Sequence, residues 1–171
     1  MNAIRSAIFY VGYFLAILVF GLLCLPVTPL LPLAGRYRLL NLYNHFIVGW
    51  FARVCGVRYT VRGRDNVPAG PVVILANHQC EWETLFLQIL KPPVCTVLKQ
   101  ELLNLPLFGW ALRLLHPIAL DRSRPARAMK QVLSQGPQRL REGLSVLIFP
   151  EGTRVEPGQR RRYNKSGAVI A

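Results

Sequence analysis

The sequence of 171 residues predicts an α/β domain, a sheet flanked by helices, that is preceded by a membrane-associated helical hairpin. Short runs rich in Val, Ile and Leu alternate with stretches of helical composition, which is the order expected of an α/β domain. Polar side chains directly follow several of these runs, at the strand ends where open α/β sheets bind ligands. The amino-terminal part is strongly apolar and has no charged residue between Arg5 and Arg36.

The first segment, residues 1–56, is predicted to associate with a membrane. Residues 7–25 are almost continuously apolar, and about 20 such residues let a helix cross a bilayer core. A signal peptide is the alternative, but no small-x-small cleavage site follows, so we expect a retained helix. Three prolines end this helix: Pro26, Pro29 and Pro32. A second apolar stretch, 39–54, returns along the interface, dips into one leaflet, or packs on the rest of the chain.

The second segment, residues 57–171, is predicted to form the α/β domain. Five runs are predicted to be strands, at 57–62, 71–76, 94–98, 117–120 and 144–149. Two helices are predicted, at 81–90 and 125–142. Gly136 and Pro137 should kink or split the second helix. Residues 105–115, which include Trp110, are predicted to be a helix or a membrane-facing surface.

The composition favours some classes of binding partner over others. A hydrophobic fraction of 52% accompanies a formal net charge of +13, and this combination favours an anionic membrane surface or an anionic substrate. Nucleic acid would explain the charge but not the apolar excess, and no nucleic-acid-binding motif is present. The four cysteines have no paired spacing, which argues against a metal site and a disulfide framework. They are Cys24, Cys55, Cys80 and Cys95.

The turn after the strand at 71–76 holds the main candidates for catalysis. His78 follows this strand and Glu83 lies five residues further on. On a continuous helix the two side chains would point about 140° apart, so they meet only if a new helix begins near Glu81. Glu83 would then hold one imidazole nitrogen while the other faces a substrate, as an orienting acid and a base. The alternative is a structural turn in which the histidine caps a chain end.

Two arginines occupy similar places after later strands. Arg122 follows the strand at 117–120, and Arg154 closes the polar segment after the strand at 144–149. A guanidinium group can bind a phosphate through two hydrogen bonds, and Gly152 lets the backbone approach a ligand closely. Together with a histidine base, the arginines point to a site for a phosphorylated alcohol, although each alone is an ordinary surface charge in so basic a chain.

Three segments, in this order, resemble the motif blocks of the glycerolipid acyltransferases, in particular the bacterial 1-acyl-sn-glycerol-3-phosphate acyltransferases. They are Asn77-His78 with an acid five residues on, 117–122 and 149–154. The resemblance implies that His78 is the general base for the sn-2 hydroxyl of lysophosphatidate and that Glu83 orients it. It also implies which residues bind the glycerol phosphate: Arg122, Glu151, Gly152, Thr153 and Arg154.

The resemblance further implies an acyl donor, a product and a location. The donor would be acyl-CoA or acyl carrier protein, the product phosphatidate for phospholipid synthesis, and no cofactor or metal would be needed. The active site would face the cytoplasm at the bacterial inner membrane. Another lysophospholipid as acceptor, or an inactive membrane-binding module, are the alternatives.

The sequence departs from the family pattern in three places. Glu83 replaces the usual Asp, which keeps a carboxylate, and Cys80 stands where a serine is common. A Cys-His hydrolase is the alternative that this thiol suggests. The family's fourth block, an apolar strand with prolines, should follow a helix that begins near residues 165–168. Because the chain stops at Ala171, we expect a truncated domain that lacks this strand and part of the acyl-chain pocket.

Overall fold

A computed structural model describes residues 3–170 of the protein. The helices are Ala3–Cys24 (α1), Leu33–Cys55 (α2), Trp82–Leu90 (α3), Phe108–Arg113 (α4), Pro125–Arg141 (α5) and Ser166–Ile170 (α6). The strands are Val73–Leu75 (β1), Val94–Lys99 (β2), Ile118–Leu120 (β3) and Ser145–Ile148 (β4). Short 3₁₀ helices occur at Thr28–Leu30, Arg64–Asn66 and Gln100–Asn104. The predicted alternation of strands and helices is confirmed.

The four strands form one parallel sheet in the order β1-β4-β2-β3. Val146 of the inner strand β4 lies opposite both Val73 of β1 and Cys95 of β2. Every residue of β4 is buried, as expected of a strand that is covered on both faces by helices. Because all four strands run the same way, their carboxyl ends lie along one edge of the sheet.

The hydrophobic core lies between this sheet and the helices, and it includes a residue of the amino-terminal hairpin. The buried residues of the core are Tyr37, Cys95, Ile118, Val132, Leu144, Val146, Ile148 and Ile170. Tyr37 belongs to α2, and its hydroxyl donates a hydrogen bond of 2.8 Å to the carbonyl oxygen of Leu115. Helix α2 therefore packs on the α/β part of the chain.

Helices α1 and α2 form the predicted hairpin. Phe9 packs on Phe51 near one end, with ring centroids 5.2 Å apart, and Phe20 packs on Tyr43 further along, at 5.9 Å. Among the described residues, α1 alone is long and apolar enough to cross a bilayer, and most of its surface is exposed. Since α2 packs along both α1 and the domain, α1 lies lengthwise on the molecule. The division into 1–56 and 57–171 stays a prediction.

The strand predicted at 57–62 is wrong, because this segment has no regular structure. Alternation of apolar and polar residues predicts a strand only where a partner strand lies alongside, and none of the described strands pairs with it. Tyr59 instead packs on the rings of Trp82 and Phe86, with centroids 5.2 and 4.8 Å away. The segment is fixed by side-chain contacts with α3.

Of the predicted kink or split in the long helix, the split is wrong, because α5 continues through Gly136 and Pro137, and the kink stays a prediction. Gly136 is buried against α6, and a Cβ at this position would lie 2.7 Å from Cδ1 of Ile170. This glycine therefore allows close helix packing. The hydrogen bond lost at Pro137 is offset by the burial of this helix face.

Candidate active site

Each strand of the sheet is followed by a polar or charged residue, and the parallel topology brings these residues to one cleft. The cleft has a volume of about 580 Å³. Its polar and charged lining includes His78 after β1, Lys99 at the end of β2, Arg122 after β3, and Thr153 and Arg154 after β4. The sequence-based expectation that these strand ends meet therefore describes the geometry of the sheet correctly.

The histidine and the glutamate predicted to act together are adjacent. Nδ1 of His78 lies 3.4 Å from Oε2 of Glu83. Helix α3 begins at Trp82, one residue later than predicted, so the chain turns between the two residues as their spacing required. Since Glu83 contacts Nδ1, the imidazole has Nε2 available for a substrate.

The carboxylate of Glu83 is held by the backbone of the turn. The amide of Cys80 donates to both carboxylate oxygens, at 2.9 and 3.1 Å, and the amide of Gln79 donates at 3.3 Å. The first turn of a helix favours an anion, because unpaired amides and the helix dipole point there. Glu83 is therefore fixed by the same turn that carries His78.

The histidine ring is also held from another side. It stacks on Phe149, with ring centroids 4.1 Å apart and planes 24° apart. The carbonyl oxygen of His78 accepts a hydrogen bond of 2.8 Å from the amide of Val155. Phe149 and Val155 both follow β4, so the segment after β4 fixes the orientation of the residue that follows β1.

The thiol of Cys80 faces the acid of the pair. Its Sγ lies 3.4 Å from Oε1 of Glu83. Burial is the main cause that raises the pKa of the Cys80 thiol above its ordinary value of 9.0. The thiol is therefore protonated at neutral pH, whereas a cysteine nucleophile acts as the thiolate. These observations argue against a Cys-His hydrolase.

Arg122 is fixed across the cleft by a bond to the neighbouring loop. Its Nη1 donates a hydrogen bond of 2.6 Å to the carbonyl oxygen of Gly152. Gly152 has a φ of 70°, a left-handed conformation that glycine adopts without strain, and no atom lies within 4 Å of where a Cβ would be. The loop thus turns sharply and leaves open space beside the arginine.

Arg154 forms an ion pair at the start of α3. Its Nη2 lies 2.7 Å from Oε1 of Glu81, and both side chains are more than half exposed. Exposed pairs of this kind contribute little stability, about 0–1 kcal/mol. An anionic ligand in the cleft can therefore compete for Arg154 at small cost.

Glu151 does not line the cleft and lies beside the turn that carries His78. The side chain is buried, and its Oε1 accepts a hydrogen bond of 2.8 Å from Nδ2 of Asn77. The same Nδ2 lies 3.0 Å from the hydroxyl of Tyr163. Glu151 therefore joins the loop after β4 to the turn after β1, and its predicted role in binding the glycerol phosphate stays a prediction.

Lys99 is a charged residue of the cleft that the sequence-based site did not include. It is the last residue of β2, whereas Arg122 follows β3, and its Nζ lies 3.1 Å from Oε1 of Glu101 in an exposed pair. The rule that identified Arg122, a basic residue after a predicted strand, also applies to Lys99. The cleft therefore contains three cationic side chains, those of Lys99, Arg122 and Arg154.

An apolar pocket of about 140 Å³ adjoins the cleft. It lies among α1, α2, α3 and α4, and most of its lining residues are aliphatic or aromatic. Four residues line both cavities, namely Thr84, Thr96, Leu98 and Leu102. A charged cleft and an apolar pocket are therefore neighbours, which suits a molecule with one polar and one apolar part.

No group of three or more His, Cys, Asp or Glu side chains within residues 3–170 is placed to hold a metal ion. The polar side chains that line the cleft are one imidazole, three cations, four hydroxyls and one amide. This donor set suits an anion, since lysine and arginine are hydrogen-bond donors only.

Comparisons with known proteins agree with this geometry. The family model described as Acyltransferase matches residues 58–171. The chain is 46% identical over its whole length to a 1-acyl-sn-glycerol-3-phosphate acyltransferase of Pseudomonas aeruginosa, of which it covers 67%. It is 34% identical to the human 1-acyl-sn-glycerol-3-phosphate acyltransferase beta over 75% of the chain and 48% of that protein.

A solved structure of a similar protein has the same fold. It is the crystal structure of the 1-acyl-sn-glycerophosphate (LPA) acyltransferase PlsC from Thermotoga maritima, with a TM-score of 0.77 and 22% sequence identity. The match covers 99% of this chain and 68% of that one. The chain thus spans about two thirds of the bacterial relatives and about half of the human one.

Proposed function

The chain belongs to the acyltransferase family, and we propose that it transfers an acyl group to the sn-2 hydroxyl of 1-acyl-sn-glycerol-3-phosphate, which gives phosphatidate. The observation that carries this proposal is the cleft in which His78, backed by Glu83, lies beside three cationic side chains. A base activates a hydroxyl, and cations bind a phosphate on the same molecule. The acyl donor is a thioester, either acyl-CoA or acyl carrier protein.

The chemistry follows from the orientation of His78. Its Nε2 accepts the proton of the acceptor hydroxyl while the hydroxyl oxygen attacks the thioester carbonyl carbon. The tetrahedral intermediate then expels the thiolate, which takes the proton back from the imidazolium, so the enzyme ends unchanged. The carboxylate of Glu83, 3.4 Å from Nδ1, stabilises the imidazolium. General base catalysis of this kind contributes about 10²- to 10⁴-fold.

The cations and the apolar pocket orient the two parts of the acceptor. Arginine can bind a phosphate through two parallel hydrogen bonds, so Arg122 and Arg154, with Lys99, form the phosphate site. The apolar pocket next to the cleft accommodates part of an acyl chain. Holding the hydroxyl and the thioester together in this way removes much of the entropic cost of the reaction.

The position of α1 suggests how the protein meets the membrane. Helix α1 lies lengthwise along α2, which itself packs on the α/β part of the chain. A helix perpendicular to the bilayer in this arrangement would draw the α/β part into the lipid. The exposed apolar surface of α1 therefore lies along one leaflet. The membrane is the inner membrane, and the cleft faces the cytoplasm, where the acyl donors are made.

A panel of acceptors tests the proposal. The full chain is incubated with a labelled acyl-CoA or acyl carrier protein and with acceptors that share one acyl chain but differ in headgroup. We expect transfer to lysophosphatidate to exceed transfer to the phosphate-free monoacylglycerol by a factor of about 10² or more, since hydrogen bonds to charged groups contribute about 1.5–3 kcal/mol each. Preference for a choline or ethanolamine headgroup would assign a different acceptor. Vesicle binding without any transfer would contradict the proposal.

A further inference from the structure

We propose that residues 100–113, the 3₁₀ helix Gln100–Asn104 together with α4, form a second membrane contact beside α1. This segment, called here the α4 hairpin, would bring the opening of the apolar pocket into contact with an anionic bilayer. The inference rests on the membrane association proposed above and not on the acyl transfer reaction.

The α4 hairpin exposes large apolar side chains that its own fold leaves uncovered. Leu102 is 38% exposed, Leu105 46% and Trp110 51%. Three such residues within nine positions form a patch rather than scattered exposure, and contiguous apolar patches mark interaction sites. Tryptophan in particular is enriched where a protein meets the headgroup region of a bilayer.

The patch is continuous with the exposed face of α1. Gly21 of α1 is buried against the α4 hairpin, and a Cβ at Gly21 would lie 2.9 Å from Cβ of Leu107. Ile17, one turn earlier, lines the apolar pocket together with residues of α4. The next positions around α1 on this side are Phe14 and Leu18, which are 63% and 48% exposed. A bilayer that covers this face of α1 therefore also reaches the α4 hairpin.

The α4 hairpin is held in one conformation by hydrogen bonds and close packing within the segment. Leu107 has a φ of 59°, which is rare for a residue other than glycine and persists only where the surrounding structure holds it. Nε of Arg113 donates to the carbonyl oxygen of Leu103 and its Nη2 to Oδ1 of Asn104, both at 3.0 Å. A Cβ on Gly109 would lie 2.5 Å from the carbonyl oxygen of Leu102. The exposed apolar side chains are thus held in place.

Charge at the edge of the patch favours anionic lipid as the occupant. Arg113 lies in α4, Lys99 directly precedes the hairpin, and Nη1 of Arg36 reaches the carbonyl oxygen of Leu114 at 3.5 Å. The one acidic residue of the segment, Glu101, is paired with Lys99. Basic residues beside an apolar surface are attracted to an anionic membrane.

The location of the patch gives it a role in substrate delivery. Leu102 is exposed and also lines both the apolar pocket and the charged cleft. A lipid that leaves the bilayer beside Leu102 therefore reaches both cavities without crossing the aqueous phase. A membrane contact at this point shortens the path of an apolar substrate.

Quenching of Trp110 fluorescence by brominated lipids tests the contact. The full chain with Trp50→Phe and Trp82→Phe retains Trp110 as its one tryptophan and is bound to phosphatidylethanolamine–phosphatidylglycerol vesicles. We expect lipids brominated near the headgroup end of the acyl chain to quench Trp110 strongly, and lipids brominated at the chain end to quench it less. Unquenched Trp110 in protein that sediments with the vesicles would overturn the proposal.

A second measurement does not depend on the tryptophan substitutions. The double variant Leu105→Ser with Trp110→Ser is compared with Leu133→Ser and Val169→Ser, which replace exposed apolar residues outside the α4 hairpin. We expect the first variant to bind the vesicles about tenfold more weakly, because roughly half of each replaced side chain is exposed and would be buried in lipid. The control pair should bind as the native chain does. An equal loss in both pairs, or in neither, would overturn the proposal.

Discussion

The two adjoining cavities of the protein are built in opposite ways. The charged cleft is formed by residues that directly follow strands, such as His78 and Arg122, and the parallel sheet brings them together. The apolar pocket is formed by helices that are distant in sequence, from Ile17 of α1 to Leu115 after α4. The positions of the reactive groups are therefore set by the strand ends, whereas the space for an acyl chain is set by how α1 and α2 pack on the α/β domain.

Apart from the loss of His78 itself, the largest effect should come from the acid that contacts His78. Glu83→Gln keeps the size of the side chain but removes the charge that stabilises protonated His78, so we expect kcat to fall by a factor of about 10² or more. Glu83→Asp is the matched control, because it keeps the carboxylate, and it should retain most of the activity. Equal losses in the two variants would show that side-chain length, and not charge, matters at this position.

A smaller effect is expected at the phosphate side of the cleft. Arg122→Ala should raise KM for lysophosphatidate by a factor of about 10 to 100, because charge-assisted hydrogen bonds contribute about 1.5–3 kcal/mol. The phosphate-free acceptor should be used as poorly by the variant as by the native chain. Steady-state kinetics with both acceptors measure these KM values. An equal loss with both acceptors would show that Arg122 does not bind the phosphate.

The apolar pocket should respond with a change of selectivity. Ala111 lines this pocket, and Ala111→Leu adds about three heavy atoms to a space of about 140 Å³. We expect a severalfold shift towards shorter acyl chains, with the preference for a phosphorylated acceptor unchanged. Competition between lysophosphatidate acceptors of different acyl-chain length measures the shift. An altered preference for a phosphorylated acceptor would contradict separate roles for the cleft and the pocket.

The smallest effect concerns the thiol beside the acid. Because burial raises the pKa of Cys80 above 9.0, the thiolate fraction is small at neutral pH and grows as the pH rises through and beyond 9. Alkylation of Cys80 should therefore be slow at pH 7 and still accelerate above pH 9. Cys24, Cys55 and Cys95 are buried and should stay unmodified, as mass spectrometry can show. A rate that levels off below pH 9 would contradict this account.

The sequence predicts the cleft better than the pocket, for a physical reason. His78, Glu83 and Arg122 follow from spacing, since a residue directly after a parallel strand lies at the ligand-binding edge whatever the helices do. Lys99 satisfies the same rule, because it directly follows the strand predicted at 94–98. The carboxylate of Glu151 is buried beside Asn77, a contact between distant loops that no local pattern encodes.

The segment at 57–62 and the helix at Gly136 depend on tertiary packing. The segment at 57–62 alternates like a strand, yet none of the described strands lies alongside it and Tyr59 packs on α3 instead. Gly136 indicates a helix break by propensity, but it is used for contact with Ile170. In both places the tertiary surroundings override a local preference.

The role of His78 as the base is the central claim, and one comparison tests it most directly. Acyl transfer to lysophosphatidate is measured for the native chain, for His78→Ala, and for His45→Ala, which removes an exposed histidine of α2. We predict that His78→Ala lowers kcat by about 10²-fold or more, while His45→Ala transfers at the native rate. Undiminished transfer by His78→Ala would contradict the account.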